Sequence, residues 1–131
     1  LLIYYKTGRI STTRPRELSE VFDPSMLNKH TDYYLQSMLY SIIVSHNRNL
    51  NPAQEPVSPG LLFIQNAGAE DYDPTLKMGK ELISSIDVYE EEFMKQLKVL
   101  IANIFDKDQP FRPTDDKHRC EYCPYAALCK S

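Results

Sequence analysis

The sequence predicts an α/β or α+β domain in which a small mixed sheet is flanked by helices. Short runs of aliphatic and aromatic residues alternate with two long segments whose apolar residues recur every three or four positions. The resulting order is strand, helix, strand, strand, helix and tail, which is typical of such a layered fold. A length of 131 residues suits one compact domain and leaves little room for a second.

The first predicted strand is "LLIYYK", residues 1–6, and it ends at "TGR". Alternate side chains of a strand share a face. Tyr4 and Lys6 are therefore predicted on one face and Tyr5 on the other. Residues 9–30, which prolines interrupt, are predicted as a loop with a short helix.

The first long helix is predicted from Thr31 or Asp32, either of which can cap it, to about Asn47. His46 is predicted as the polar end of its buried stripe. The positions assigned to that stripe are spaced three and four apart. They are Leu35, Met38, Leu39, Ile42, Ile43 and His46.

Residues 61–65, "LLFIQ", are predicted as a second strand that is buried on both faces. Residues 66–80 are predicted as a loop, and "KELISSI", residues 80–86, as a third strand. A second long helix is predicted from Asp87 to Phe105. The residues assigned to its apolar stripe are Val88, Phe93, Leu97, Leu100, Ile101 and Ile104.

Four acidic residues crowd the predicted first turn of this second helix. They are Asp87, Glu90, Glu91 and Glu92. The helix dipole favours negative charge at that position. The cluster therefore indicates a helix start and not a metal site.

The overall charge and hydropathy exclude some classes of protein. A net charge of -3 excludes a generally basic nucleic-acid-binding protein, so DNA contact would need a local basic stripe. No apolar run approaches the roughly 18 residues that a membrane span needs, and no signal peptide is visible. We therefore expect a soluble cytoplasmic protein with no membrane partner. Because the chain opens inside a predicted strand without Met, we expect a fragment of a longer polypeptide.

All three cysteines lie within "CEYCPYAALC", where Cys120, Cys123 and Cys129 have the spacing C-x2-C-x5-C. Clustered thiols in odd number are more typical of metal binding in a reducing compartment than of disulfides. Zinc would need a fourth ligand such as His118, whose closeness to Cys120 would make the site cramped. An iron–sulfur cluster takes four thiolates, so its fourth ligand would lie outside this chain.

Four motifs in order carry a resemblance to a known family: "YYKTG" at 4–8, "LQSMLY" at 35–40, "LLFI" at 61–64 and "FRPTDDKHRCEYCPYAALC" at 111–129. Together they resemble the C-terminal half of the PD-(D/E)XK nuclease superfamily, and within it the RecB/AddB-type domains of bacterial helicase–nucleases. The resemblance implies a restriction-endonuclease-like fold in which residues 1–131 form a partial domain with a cysteine-rich tail at 118–131. It also implies DNA as substrate, a role in DNA repair, and a helicase subunit or helicase domain as partner.

The resemblance further implies a site. Lys6 occupies the position of the family's catalytic lysine, and Gln36 and Tyr40 match the Q-x-x-x-Y motif that lines the family's active site. The three tail cysteines match those that join an upstream cysteine around a [4Fe-4S] cluster. Mg²⁺ held by carboxylates supports phosphodiester hydrolysis, and a lysine stabilises the developing charge. In a D-x-K motif the carboxylate and the ammonium share one strand face, about 6.6 Å apart.

The sequence departs from this pattern at Tyr4, where the family has its metal-binding Asp. A phenol with a pKa near 10 is a poor Mg²⁺ ligand at neutral pH. We favour a degenerate, inactive nuclease domain that is kept for binding or assembly. The alternatives are an active Mg²⁺-dependent DNA exonuclease that draws a carboxylate from elsewhere, and a zinc-binding protein-interaction module.

Basic residues near the first strand predict a surface that faces DNA phosphates. These are Lys6, Arg9, Arg14 and Arg16, with Lys29 nearby. Glu17, Glu20 and Asp23 dilute the patch. Because phosphate contacts dominate DNA affinity, such a patch would make binding dependent on salt.

Overall fold

The computed structural model describes residues 1–7, 13–110, 112, 114 and 117–129. The chain forms two compact units, Leu1–Ile101 and Ala102–Ser131. The first unit contains the predicted strands and the predicted first helix. Among the described helices, none has the length and apolar character that a membrane crossing requires.

A pair of parallel strands lies at the centre of the first unit. Strand β1 (Leu2–Lys6) pairs in register with β2 (Pro59–Phe63), so that Lys6 lies beside Phe63. Parallel strands need a crossover connection, and helices provide it here. They are α1 (Ser19–Phe22), a 3₁₀ helix (Pro24–Lys29) and α2 (Thr31–His46). The prediction of the first strand and of the first long helix is confirmed.

Strand β2 begins and ends two residues before the predicted strand, and a 3₁₀ helix (Ile64–Asn66) follows it. Its residues are almost all buried, but Ile64 and Gln65, which the predicted strand included, are exposed. An added Cβ at Gly60 would lie 3.2 Å from both Leu1 Cδ1 and the Leu2 carbonyl oxygen. Only glycine therefore lets β1 approach β2 this closely without displacing a neighbour.

A second, antiparallel sheet consists of β3 (Lys77–Met78) and β4 (Glu81–Leu82). The predicted third strand at 80–86 is therefore mostly wrong. Gly79 has a φ of +58° in the tight turn between the two strands, a conformation that glycine adopts without strain. Beyond β4 the chain is irregular, because Ile83 and Ile86 are both buried and their spacing of three does not fit the alternation of a strand.

The buried face of α2 differs from the predicted stripe. Its buried residues are Thr31, Tyr34, Ser37, Met38, Ser41 and Ile42. Ile43 is 53% exposed. Ser37 Oγ donates to the Gly60 carbonyl at 3.0 Å, and Ser41 Oγ donates to the Ser37 carbonyl at 2.9 Å. Small hydroxyl side chains whose hydrogen bonds are satisfied can be buried at little cost, so a stripe drawn from apolar residues alone missed this face.

The prediction that His46 is the polar end of a buried stripe is also wrong. Its side chain is 67% exposed, and Nε2 lies 2.6 Å from Glu90 Oε1. Glu90 belongs to the first turn of α3 (Asp87–Ile104), where the acidic residues were predicted to mark a helix start. The contact therefore joins the end of α2 to the beginning of α3 within the first unit.

Helix α3 agrees with its predicted bounds to within one residue, but most of its predicted apolar stripe is not buried. Phe93 is its one fully buried side chain among the described residues, and it packs edge-on against Phe22 at 5.1 Å. Val88, at the opposite extreme, is 79% exposed. Only a narrow part of α3 is therefore buried in the core of the first unit.

The second unit contains the end of α3 together with the short helices α4 (Lys117–Glu121) and α5 (Ala126–Cys129). Between them, the Cys123 N–H donates to the Cys120 carbonyl at 3.3 Å and closes a turn. Tyr122, Tyr125 and Leu128 are mostly exposed. Hydrogen bonds within short turns, and not a buried core, organise this described part of the tail.

Candidate functional site

The ammonium of Lys6, at the end of β1, lies among aromatic side chains. Its Nζ donates to Tyr4 Oη at 3.2 Å and lies 4.6 Å from the centroid of the Tyr4 ring. It also lies 3.8 Å from the centroid of the Tyr33 ring, which projects from α2. A cation near an aromatic face is attracted by the ring quadrupole. Two tyrosines therefore hold this half-buried lysine in place.

Tyr4 links the lysine to the second predicted site residue. Its ring packs edge-on against Tyr40 of α2, with 5.6 Å between centroids and 74° between planes. Tyr40 is 43% exposed and therefore lies at the rim of the core. Lys6 and Tyr40 therefore both contact the Tyr4 side chain, although 34 positions separate them in the sequence.

An apolar cavity of about 250 Å³ opens beside this tyrosine pair, between β1 and α2. Its lining consists of the two rings with Leu2, Ile3, Ser37, Ile43 and Val44. Its polar lining is limited to hydroxyl-bearing side chains, and no cationic side chain is among the described residues that line it, so a phosphate would lose its hydration there with little compensation. The cavity therefore suits an apolar side chain and not a nucleic-acid backbone.

Gln36, the third predicted site residue, lies one helical turn before Tyr40. Its Oε1 is buried and has no hydrogen-bond partner among the described residues, and the same is true of Asp32 Oδ1 one turn earlier. Residues four apart on a helix share a face. An unsatisfied buried acceptor costs on the order of 1–3 kcal/mol. A donor that reached this face of α2 would remove that cost, because both oxygens can accept a hydrogen bond.

No carboxylate pairs with Lys6 within the part of the chain that the structure describes. The ion pairs there are His46–Glu90 and Lys95–Glu92. Mg²⁺ prefers carboxylate oxygens and water, whereas the residue two positions before the lysine is a tyrosine. The described residues around Lys6 therefore do not fit the ligand set of a magnesium site.

The predicted basic patch is only partly visible. Arg9 lies outside the described residues. Arg16 is exposed, and its backbone N–H donates to Glu20 Oε2 at 2.8 Å. Arg14 Nη1 donates to the Gly79 carbonyl at 3.4 Å, and its side chain lines a second cavity together with Lys77. The structure thus brings Arg14 together with a lysine that the sequence did not single out.

The three tail cysteines are free thiols, of which Cys120 and Cys123 are half-buried and Cys129 is exposed. Three thiolates suit zinc or an iron–sulfur cluster by the chemistry of their sulfur atoms. Within the described residues, however, no three histidine, cysteine or acidic side chains are grouped closely enough to hold a metal ion. The side chain of His118 lies outside the described residues.

A further aromatic contact lies beside Lys6. The His30 ring stacks on Tyr33 with 5.2 Å between centroids and 16° between planes. Tyr33 therefore lies between His30 and the Lys6 ammonium. It precedes Gln36 and Tyr40 by three and seven residues, a spacing that marked it as a neighbour on the same helix face.

Comparison with known families gives a match that covers nearly the whole chain. A family model described as the PD-(D/E)XK nuclease superfamily matches residues 2–130. Neither the curated proteins nor the solved structures gave a match.

Proposed function

The chain belongs to the PD-(D/E)XK nuclease superfamily, and from this we propose that it forms part of a DNA-processing nuclease domain whose catalytic strand is degenerate. DNA is the substrate class that the superfamily suggests. We further propose that the domain binds DNA without cleaving it, because the strand that carries the lysine lacks its metal-binding carboxylate.

The contact between Tyr4 and Lys6 carries this proposal. Magnesium-dependent hydrolysis needs carboxylates that hold the ion and a lysine that is free to stabilise developing charge. Here the Lys6 ammonium donates to a phenol and lies against two rings, and no described carboxylate pairs with it. Tyr4 stands where the family has its metal-binding Asp, and its hydroxyl also accepts a hydrogen bond from the Lys6 ammonium.

The order of motifs supports a more specific context. A lysine strand, a Q-x-x-x-Y helix and a terminal C-x2-C-x5-C follow each other as in RecB/AddB-type domains. We propose that the parent is a cytoplasmic helicase–nuclease or related DNA-repair protein, with a helicase subunit or domain as partner. Cys120, Cys123 and Cys129 would supply three thiolates to a [4Fe-4S] cluster, or to zinc, with the fourth ligand outside this chain. When bound, such a centre contributes folding stability.

A nuclease assay tests the proposal. The intact parent protein is incubated with linear DNA and Mg²⁺, beside Lys6→Ala and Tyr4→Asp variants. We expect no cleavage by the unmodified protein or by Lys6→Ala. Cleavage that Lys6→Ala abolishes would overturn the degenerate assignment and establish the active exonuclease. Cleavage that appears only in Tyr4→Asp would strengthen the proposal, because it would identify the missing carboxylate as the defect.

DNA binding is measured on the same proteins as a function of salt. For a domain that neutralises phosphates, the logarithm of the binding constant falls linearly with the logarithm of the salt concentration. Absence of binding at low salt would remove the proposed DNA role and would leave the zinc-binding interaction module as the better account.

A further inference from the structure

A second cavity, of about 280 Å³, lies within the first unit on the side of β2 away from β1. Its base is apolar and buried, because Leu61, Phe63 and Leu76 line it. Its rim is charged, with Arg14, Lys77 and Asp73 around it. It differs from the apolar cavity beside Tyr40 in having cationic groups above an apolar base.

The walls of this cavity are fixed by hydrogen bonds. The Phe63 N–H donates to Tyr72 Oη at 2.9 Å, and the same hydroxyl donates to the Leu61 carbonyl at 2.9 Å. The Leu61 N–H donates to the Pro74 carbonyl at 2.7 Å. Because these bonds attach the segment 72–76 to β2, the shape of the cavity exists before any ligand binds. Preorganisation of this kind lowers the cost of binding.

The two cations on the rim are available to a ligand. Within the described part of the chain, neither Arg14 nor Lys77 forms a salt bridge. The one hydrogen bond that the Arg14 guanidinium makes there, to the Gly79 carbonyl, is long at 3.4 Å. A guanidinium has five N–H donors in a planar fork, which suits phosphate oxygens. Most of this donor capacity is therefore unused.

Tyr34 lies between these groups and is itself buried. Burial raises the pKa of its hydroxyl, while the backbone of Lys77 and the Arg14 charge act in the opposite direction. The hydroxyl is therefore protonated and neutral at physiological pH, and it brings no negative charge to the cavity. Asp73 is the sole acidic side chain among the described residues that line it.

We propose that this cavity binds a phosphate group through Arg14 and Lys77, and that in the intact protein the phosphate belongs to the backbone of a single DNA strand. The volume is small for a drug-sized ligand, since such sites usually exceed about 300 Å³, and it suits a single phosphate or one nucleotide. A free mononucleotide offers the same chemistry, so the experiment below separates the two sources.

The position of the cavity relative to Lys6 supports the DNA strand. Lys6 pairs with Phe63 across β1 and β2, and Phe63 lines the cavity. The segment around Thr75 follows as the next neighbour of β2, through its bridge to Gly60. Two strand spacings across, together with the three residues along β2 between Gly60 and Phe63, place Lys6 about 14 Å from Thr75. The lysine and the cavity are therefore close enough for one short DNA strand to contact both.

Replacing Asp73 should change phosphate affinity in the direction opposite to that expected for replacing Arg14 or Lys77. Its Oδ1 accepts from the Thr75 N–H at 2.9 Å, and hydrogen bonds from Thr75 hold the pKa of this carboxyl below its usual value. The group is therefore ionised and repels a phosphate on the same rim. Asp73→Asn keeps the Oδ1 acceptor and removes the charge, so it should tighten phosphate binding, whereas Arg14→Gln and Lys77→Gln should weaken it.

The DNA part of this inference rests on the proposed function, so the experiment uses two probes. Inorganic phosphate and dAMP are titrated into the protein while the backbone amide signals of residues 72, 73 and 75–77 are followed by NMR. A labelled single-stranded oligonucleotide is titrated by anisotropy at several salt concentrations. The variants are Arg14→Gln with Lys77→Gln, and Asp73→Asn. The matched control is Arg48→Gln with Lys98→Gln, which removes two exposed cations outside the cavity.

We expect phosphate to shift these amide signals in the unmodified protein, in Asp73→Asn and in the control, and not in the Arg14/Lys77 variant. We also expect the salt slope of oligonucleotide binding to fall by about 0.7 in that variant, which corresponds to one lost phosphate contact.

Binding of phosphate or dAMP without oligonucleotide would retain the phosphate site and reject the DNA strand. Oligonucleotide binding that Lys6→Gln weakens and the Arg14/Lys77 variant leaves unchanged would overturn the site while the DNA role stands. No shift with any probe, or weaker phosphate binding in Asp73→Asn, would also overturn it.

Discussion

A double-mutant cycle tests whether Tyr4 holds the Lys6 ammonium in solution. Tyr4→Phe removes the hydroxyl and keeps the ring that packs against Tyr40, whereas Lys6→Met removes the ammonium and keeps an apolar stem. The cycle therefore isolates the hydrogen bond between Nζ and Oη. Hydrogen bonds to charged groups contribute about 1.5–3 kcal/mol when well formed. At 3.2 Å and half-buried, this bond should contribute about 1 kcal/mol to the free energy of unfolding.

The free energies of unfolding are measured by urea titration for the unmodified protein, both single variants and the double variant. A second cycle, between Tyr33→Leu and Lys6→Met, should give a coupling of about 0.5–1 kcal/mol, because the ammonium lies 3.8 Å from the centroid of that ring. The reasoning is refuted if the Tyr4–Lys6 coupling does not exceed the roughly 0.3–0.5 kcal/mol by which independent sites depart from additivity.

Tyr5 supplies the matched control for both cycles. It is the neighbour of Lys6 in the chain, but it projects from the opposite face of β1 and is 61% exposed. Tyr5→Phe removes the same hydroxyl as Tyr4→Phe. Its effect should therefore add to that of Lys6→Met without measurable coupling.

Three further results are expected. Phe93→Ala should lower the free energy of unfolding by about 3–5 kcal/mol, since the ring is fully buried, whereas Val88→Ala on the same helix should change it by less than about 0.5 kcal/mol in urea titrations. Hydrogen bonds from Ser25 and Thr75 hold the pKa values of Asp23 and Asp73 below their usual value, so both carboxylates stabilise the fold above the unfolded pKa near 3.8. That contribution is lost as the pH falls below 3.8 through the lowered values, and acid titrations of an Asp23→Asn/Asp73→Asn variant should show a smaller loss than the unmodified protein. Metal analysis of the intact parent prepared without oxygen should find iron and labile sulfide that replacement of the tail cysteines by serine removes; stoichiometric zinc instead would favour the interaction module.

Local spacing identified the regular elements well. β1 and the two long helices were placed to within about one residue, because the alternation of a strand and the helical repeat depend on near neighbours in the chain. The third strand was wrong because Ile83 and Ile86 are buried from an irregular segment, where neither repeat applies. The buried face of α2 was misplaced because Ser37 and Ser41 have polar side chains whose hydrogen bonds are satisfied only in the folded protein.

The sequence by itself determined the order of elements, the likeness to a nuclease superfamily and the presence of Tyr4 where a carboxylate is expected. It placed Lys6, Gln36 and Tyr40 as candidates, since motif spacing is a property of the linear chain. Only the tertiary structure decided which groups surround that lysine. The contact of Tyr33 with Lys6 depends on the packing of α2 against β1. The meeting of Arg14 with Lys77 depends on hydrogen bonds between residues 14–15 and Gly79. Those relations join residues tens of positions apart, and no local pattern specifies them.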